Sequence, residues 1–421
     1  MKIVFVNRYF YPDHSATSQI LADLAFELAR HPSVGGPAAR EGREVCVVTS
    51  RQRYEDPNAV LESRESVRGV QIHRIWTTRF GRAGLMGRSF DYLSFYFGAF
   101  IRLCALLKPG DIVVAKTDPP LISVVAMMAA KLRGALLVNW LQDLFPEAAM
   151  ALNTAGIRGP LAFFLKKARN VSLKKARFNV AIGEKMSEKI IREGIPIRQV
   201  RVIPNWSDGA ELRPLKREEN KLKAEWGLEN RFVVGYSGNM GRAHEFETVL
   251  RAAEILKDEN IIFLFIGGGK KLEEIQTECK KRGLKNFVFK PYQPYLALNE
   301  SLNAAELHLV TLQPDLEGFV VPSKFYGVAA AGKPTLFIGD LEGEIPKILK
   351  KVSCGYAFAI GDAQGLAACV RQLAKNPDLL NALGLNARAV FEERFDRQKA
   401  FRAWKEVLME CGKMDTLPGY P

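Results

Sequence analysis

No two cysteines stand close enough to read as a metal or redox site. Cys46, Cys104, Cys279, Cys354, Cys369 and Cys411 are scattered through apolar or helix-like stretches, which excludes a disulfide framework and fits a reducing compartment. Long hydrophobic runs are also missing. The two richest, Phe95 to Leu107 and Leu121 to Leu132, are broken or bounded by Arg102, Lys108, Asp118 and Lys131, so neither supplies the ~20 residues of a membrane-spanning helix. The opening Met1-Lys2-Ile3-Val4-Phe5-Val6 is too short for a secretory leader and suits a buried strand. A cytoplasmic protein that does not cross the membrane is expected. What remains is ordinary globular composition: 421 residues, 48% hydrophobic and 25% charged, a length for which two domains are the leading count.

Acidic residues are scarce in one half only. Residues 1–205 carry 30 Lys and Arg against 17 Asp and Glu, whereas 206–421 carry 30 against 29, so nearly all of the net charge of +14 is N-terminal. Between Ile157 and Gly183, Arg158, Lys166, Lys167, Arg169, Lys174, Lys175 and Arg177 occur without one acidic residue, threaded with Leu161, Phe163, Phe164, Leu165, Val171 and Leu173. The spacing predicts an amphipathic helix with basic residues beside an apolar stripe. Such a helix can dock on an anionic membrane surface; a packed helix with a solvated basic face is the alternative. No nucleic-acid reading module is recognisable, and no nucleic-acid partner is expected.

Short β-rich runs alternate with helical stretches. Strands are predicted near Ile3 to Asn7, Val45 to Thr49, Val70 to Trp76, Ile112 to Ala115, Leu136 to Leu141 and Asn179 to Ile182, with helices such as Thr17 to Arg30 and Leu121 to Leu132 between them. After a charged segment from Asp208 to Arg231 the rhythm restarts at Phe232-Val233-Val234-Gly235-Tyr236, and continues through Ile261 to Ile266, Phe287 to Phe289, Leu307 to Leu312, Thr335 to Ile338 and Tyr356 to Ala359. The expectation is an α/β protein of two Rossmann-like, doubly wound parallel-sheet domains facing each other across a cleft. They divide into residues 1–205, 206–390 and a C-terminal helix, 391–421, that can cross back to the first domain. The insertion His31 to Arg40 reads as a loop with no assigned role.

Open parallel sheets bind ligands at the carboxyl ends of their strands, so loops that follow strands hold the candidates. Tyr236-Ser237-Gly238-Asn239-Met240-Gly241-Arg242 enters a predicted helix around His244 and can cradle a phosphate, with Arg242 or His244 beside it. Ile266-Gly267-Gly268-Gly269 leaves room over the backbone for a bulky group. Glu317 precedes Pro322-Ser323-Lys324, where Ser323 is expected to cap a helix and Lys324 to offer a cation to a diphosphate. In the first half, Asp143 and Glu147 follow the strand Leu136 to Leu141, where a carboxylate can orient an acceptor hydroxyl or cap the next helix. Thr117-Asp118-Pro119-Pro120 is a similar exit.

In order along the chain, Tyr11-Pro12, Gly42-Arg43-Glu44-Val45-Cys46-Val47-Val48-Thr49, Gln142-Asp143-Leu144-Phe145-Pro146-Glu147, Val202-Ile203-Pro204-Asn205, Gly238-Asn239-Met240-Gly241 and Pro322-Ser323-Lys324-Phe325-Tyr326 followed by Ala331-Gly332-Lys333-Pro334 resemble the retaining glycosyltransferases of family 4, with the GT-B fold. The likeness is strongest to bacterial sugar transferases of the O-antigen, colanic-acid and capsule type. It implies transfer of a hexosyl or N-acetylhexosaminyl group from a nucleotide-diphosphate sugar, with retention and with no cofactor or metal. The implied acceptor is a polyprenyl-diphosphate-linked saccharide in surface polysaccharide biosynthesis, which would make the protein peripheral on the inner face of the plasma membrane. The implied donor contacts are Gly238, Asn239, Arg242, His244, Gly267, Gly268, Tyr292, Pro322, Ser323 and Lys324. His14, Ser15, Asp118, Asp143 and Glu147 fall on the acceptor side, and Asp143, Glu317, Lys324 and Arg242 form the implied catalytic set. The sequence departs from the family in three places. Gly327 occupies the second glutamate position, Asn239 and His244 align with the usual Arg and Lys, and His14-Ser15-Ala16 replaces a glycine pair. A nucleotide-sugar epimerase of the same fold and a non-catalytic sugar-nucleotide or membrane-binding component are the alternatives.

Overall fold

The computed structural model describes residues 1–13, 15–30, 44–53, 56, 59–81, 84–153 and 156–413. His14 and the 31–40 insertion lie outside the described residues. The chain forms two compact units, one built from residues 1–204 with the chain from Phe401 onward, the other from Asn205–Ala400.

The first unit runs β1 (Ile3–Val6), α1 (Ala16–Arg30), β2 (Val45–Ser50), β3 (Arg64–Val67), β4 (Val70–Ile75), α2 (Leu85–Leu106), β5 (Ile112–Lys116), α3 (Ile122–Arg133), β6 (Leu136–Leu141), α4 (Glu147–Ala151), α5 (Gly159–Lys175), β7 (Phe178–Ala181), α6 (Glu184–Arg192) and β8 (Val200–Val202). Its sheet has the order β3-β4-β2-β1-β5-β6-β7-β8. β1, β2, β5 and β7 are buried at every position, because parallel strands are covered by helices on both faces and so read as continuous apolar runs. On one face Phe95, Ala99 and Leu103 of α2 and Ile122, Ala126 and Ala129 of α3 pack on Val4, Val6, Cys46, Val48 and Val113. The strand β3 was not anticipated. It is a short polar edge strand, Arg-Glu-Ser-Val, paired antiparallel to β4 through a turn in which Arg68 (φ 49°) and Gly69 (φ 84°) both take the left-handed conformation that a two-residue hairpin requires.

The second unit runs α7 (Lys221–Glu225), β9 (Phe232–Ser237), α8 (Glu247–Ile255), β10 (Ile261–Ile266), α9 (Leu272–Lys281), β11 (Phe287–Lys290), α10 (Leu298–Asn303), β12 (Leu307–Thr311), α11 (Lys324–Ala330), β13 (Thr335–Ile338), α12 (Glu344–Val352), β14 (Gly355–Phe358), α13 (Ala363–Lys375) and α14 (Pro377–Val390), and α15 (Arg397–Lys413) leads from it back to the first unit. Its sheet, β11-β10-β9-β12-β13-β14, is parallel throughout. Asn376 starts α14 by accepting from the Leu379 amide at 3.0 Å, with Pro377 at the first helical position, where its missing N–H costs nothing. The following Phe391–Phe395 turn stays with this unit, since Phe395 packs on Phe325 and Tyr326. The return to the first unit comes at Phe401, within α15. There Trp404 packs on Trp140 with centroids 4.6 Å apart, and Lys405 pairs with Glu27 at 2.7 Å.

The basic segment of residues 157–183 holds α5, as expected, and then β7. Leu161, Phe163, Phe164 and Val171 are exposed, while Ala162, Arg169, Ser172 and Leu173 face inward. The segment is also not free of acidic partners. Arg169 makes a two-pronged pair with Glu147 (2.6 and 3.0 Å), and Lys166 reaches Glu193 at 2.5 Å. These carboxylates come from neighbouring elements, which a local charge count cannot see.

Candidate active site

In each sheet the strand order reverses at one point, between β1 and β5 in the first and between β9 and β12 in the second. Loops leaving adjacent strands there diverge and open a crevice. The charged candidates collect at these two points.

In the second unit, β9 ends at Ser237 and the chain turns through Gly238 (φ 117°), held by the Gly238 amide on the Ile266 carbonyl at 2.8 Å. The next loop, after β10, lies against it. Gly267 (φ 132°) is so close that a Cβ there would collide with the Gly238 carbonyl oxygen, and a Cβ on Gly268 would sit 3.3 Å from the Tyr292 ring. Lys324, the first residue of α11, lays its stem over Gly238, where a Cβ would come within 2.9 Å of its Cε. Its ammonium ends 3.0 Å from His244 Nε2 and 5.2 Å from the Tyr236 ring centroid. The other imidazole nitrogen, Nδ1, lies 2.7 Å from the Thr311 carbonyl. A carbonyl only accepts, so Nδ1 carries the proton and Nε2 accepts a hydrogen bond from the ammonium. Burial and then the neighbouring Lys324 charge push His244 down to about 3, and burial lowers Lys324 to about 8. A neutral imidazole therefore steers a cation that is costly to keep charged until an anion arrives.

Three expectations for this unit change. His244 is not in a helix: α8 begins at Glu247, because the ring is drawn inward to Thr311. Ser323 occupies the N-cap position of α11 but makes no side-chain cap, its backbone being helical rather than extended. Glu317 is buried, and its carboxylate accepts the Glu344 amide at 2.8 Å at the start of α12. That holds the 317 loop to α12. Arg242 and Asn239 are exposed, and the Arg242 side chain has no hydrogen-bond or ion-pair partner among the described residues. Pro322 is buried just before Lys324.

In the first unit the exits of β1, β5 and β6 bring together Arg8, Asp118 and Asp143. The Arg8 amide donates to the Asp118 carbonyl at 2.7 Å, and its guanidinium lies 3.6 Å from Asp91 and 5.1 Å from the Tyr92 ring centroid. Burial, joined by the Asp143 and Asp13 charges against the opposing pull of Arg8, raises Asp118 to about 6. Burial raises Asp143 to about 6 as well, a hydrogen bond from Thr117 partly offsetting it, and Asp143 Oδ1 has no hydrogen-bond partner among the described residues. The Ser15 hydroxyl is buried and likewise has no hydrogen-bond partner among the described residues. Glu147 is not part of this cluster: its carboxylate is taken up by Arg169. Arg8 was missed in the sequence, although a charged residue one position past the Ile3-Val4-Phe5-Val6-Asn7 strand is a signal of the same kind as Asp118. Tyr236 and Thr311, which place Lys324 and His244, carry no such signal. Among the described residues no cluster of three or more His, Cys, Asp or Glu is placed to hold a metal ion.

Residues 35–206 match the family described as glycosyl transferase 4-like domain, and residues 218–390 match glycosyl transferases group 1. The chain is a glycosyltransferase of this family. Among its relatives are a protein of Escherichia coli K12 named as the colanic acid biosynthesis glycosyl transferase WcaI, 28% identical over 65% of this chain and 68% of that one, and a glycosyltransferase of Pseudomonas aeruginosa, WbjE, 28% identical over 70% and 73%. Anabaena HepE, solved with UDP-glucose, shares the fold of this glycosyltransferase at a TM-score of 0.72, with 16% identity over 97% of this chain and 100% of that one. The fold is GT-B, two parallel-sheet α/β domains.

Proposed function

We propose that this glycosyltransferase moves a hexosyl or N-acetylhexosaminyl group, with retention, from a nucleotide-diphosphate sugar to a polyprenyl-diphosphate-linked saccharide during surface polysaccharide assembly. It works as a peripheral protein on the cytoplasmic face of an anionic membrane. The observation that carries the reading is the Lys324 ammonium, threaded over Gly238 at the strand-order reversal and held by a neutral His244. Glycosyl transfer needs charge stabilised on the departing diphosphate as the sugar becomes oxocarbenium-like. Lys324 and the exposed Arg242 supply that charge without a metal, and the glycines at 238, 267 and 268 let the nucleotide approach the backbone. The name of WcaI supports a polysaccharide pathway, and UDP-glucose in HepE supports a nucleotide sugar as donor.

On the acceptor side, Asp143 Oδ1, without a hydrogen-bond partner among the described residues, is suited to receive a hydroxyl hydrogen bond, and Asp118 and Arg8 complete a polar floor. The leaving phosphate itself takes the acceptor proton on the same face of the sugar, so the configuration is kept. The test is NMR of the product formed from a nucleotide sugar and a polyprenyl-diphosphate saccharide, with and without EDTA. An axial donor is expected to give an axial linkage at an undiminished rate in EDTA. An inverted product, or conversion of the donor to its epimer with no acceptor present, would overturn the reading.

A further inference from the structure

The helix α2 is 22 residues long, yet only one side of it is covered. Phe95, Ala99 and Leu103 face the sheet, whereas Met86, Phe90, Leu93, Phe97 and Ile101 are all exposed, Phe97 to 70% and Met86 to 76%. Their spacings of four, three, four and four place them in one stripe along the outer side, about 22 Å long at 1.5 Å per residue. Phe80 extends the stripe. Its ring meets that of Phe90 edge-on at 5.8 Å, and Gly87 permits the approach, since a Cβ there would fall 2.8 Å from the Phe80 carbonyl oxygen. α2 packs beside α3 and α3 beside α5. These neighbours are open in the same way, with Met128 and Leu132 exposed on α3, and Leu161, Phe163 and Phe164 on α5.

So large an unpartnered apolar face calls for an occupant, and charge selects among them. From Trp76 to Lys108 the sequence has Arg79, Arg82, Arg88, Arg102 and Lys108 but one acid, Asp91, and Asp91 is buried. A second copy docked symmetrically would set this basic face against itself. An anionic lipid surface would instead receive both the basic heads and the aromatic stripe. Among the described residues no helix is long and apolar enough to cross a membrane, which leaves α2 the geometry of a helix lying along a surface. We propose that the outer face of the α2, α3 and α5 layer inserts shallowly into an anionic bilayer, with α2 as its main anchor.

The position of α2 gives this a consequence for the reaction. Its inner side carries Asp91 and Tyr92, which hold Arg8 beside the Asp118 and Asp143 cluster. Lipid and the Arg8, Asp118 and Asp143 cluster thus lie against opposite sides of one helix, a single helix diameter of roughly 10 Å apart. A polyprenyl-linked sugar reaches this cluster without leaving the headgroup region. This consequence rests on the lipid-linked acceptor proposed above; the docking itself does not need it.

The test is co-sedimentation of the full chain with vesicles of phosphatidylglycerol and phosphatidylethanolamine, and with phosphatidylcholine alone, at low and high salt. The parent is expected to bind the anionic vesicles and to keep part of that binding at high salt. The variant Phe90→Ser/Leu93→Ser/Phe97→Ser is expected to bind on the order of a hundredfold less, from the apolar surface withdrawn. It should unfold at the parent's temperature and bind nucleotide sugar with the parent's affinity by calorimetry. Phe97→Ser alone, with an intermediate loss, serves if the triple variant does not fold. Three results would overturn the proposal: a parent that ignores anionic vesicles, a triple variant that binds like the parent, or a lipid-free parent dimer that the triple variant turns into monomers. The transfer reaction is judged separately, since none of these readouts depends on turnover.

Discussion

Replacing Lys324 by arginine separates two things that the lysine combines, its position and its ability to lose its charge. Burial lowers Lys324 from 10.5 to about 8, a shift that corresponds to about 3 kcal/mol of penalty on the charged form in the empty site. The groups facing it are Tyr236, held far above the tyrosine range by burial, His244, neutral down to about 3, and Lys271, whose ammonium lies 3.0 Å from the His244 carbonyl. Neither ring changes charge between pH 7 and 9. The free protein should therefore lose donor-site charge as pH rises through about 8. In initial-rate assays kcat/KM for the donor should stay level below that point and fall tenfold per unit above it. A bound diphosphate favours the ammonium, so the break in kcat should move toward higher pH. Lys324→Arg keeps its charge throughout and should flatten the kcat/KM profile even if its plateau is lower. A parent profile flat to pH 10, or the same break in the arginine variant, would refute the reasoning.

Other consequences are as specific. Asp143 is raised from 3.8 to about 6 by burial, so the folded protein holds its proton more tightly than the unfolded chain, and stability is lost as pH rises between those values. Asp143→Asn should therefore be about 1–3 kcal/mol more stable at pH 7.5 by thermal unfolding, lose that advantage near pH 4, and transfer sugar poorly. Gly238→Ala puts a methyl group 2.9 Å from Lys324 Cε at a φ of 117°; it should fold and bind nucleotide sugar at least about tenfold more weakly in calorimetry. Glu317→Ala removes the acceptor for the first amide of α12 and should cost about 1 kcal/mol in chemical denaturation, with a smaller effect on donor affinity than Lys324→Ala.

Much of this architecture is legible locally. A parallel strand buried on both faces must be an unbroken apolar run, so Val45–Ser50 or Ile261–Ile266 announces itself, and the glycines that follow mark the exits. β3 was hidden because an edge strand of four residues needs no apolar pattern. The site was legible as residue types at strand ends and illegible as geometry. His244 meets Thr311 across 67 positions and Lys324 across 80, and only the order of strands brings them together. Glu317 shows the same limit: a carboxylate in a loop of this kind is open to a sugar or to a helix start, and the partner, Glu344, is set by tertiary packing. The exposure of α2 was equally out of reach, because its residues are as apolar on the open side as on the packed one.

The central claim is that a donor diphosphate is held by Lys324 over the glycine turn at Gly238. It is tested most directly by calorimetric titration of UDP-, GDP- and dTDP-sugars into the parent and into Lys324→Ala. The account predicts that at least one nucleotide sugar binds the parent, and that the variant binds it about 10–100-fold more weakly, the span of one charge-assisted hydrogen bond. Equal affinity for both proteins would contradict it.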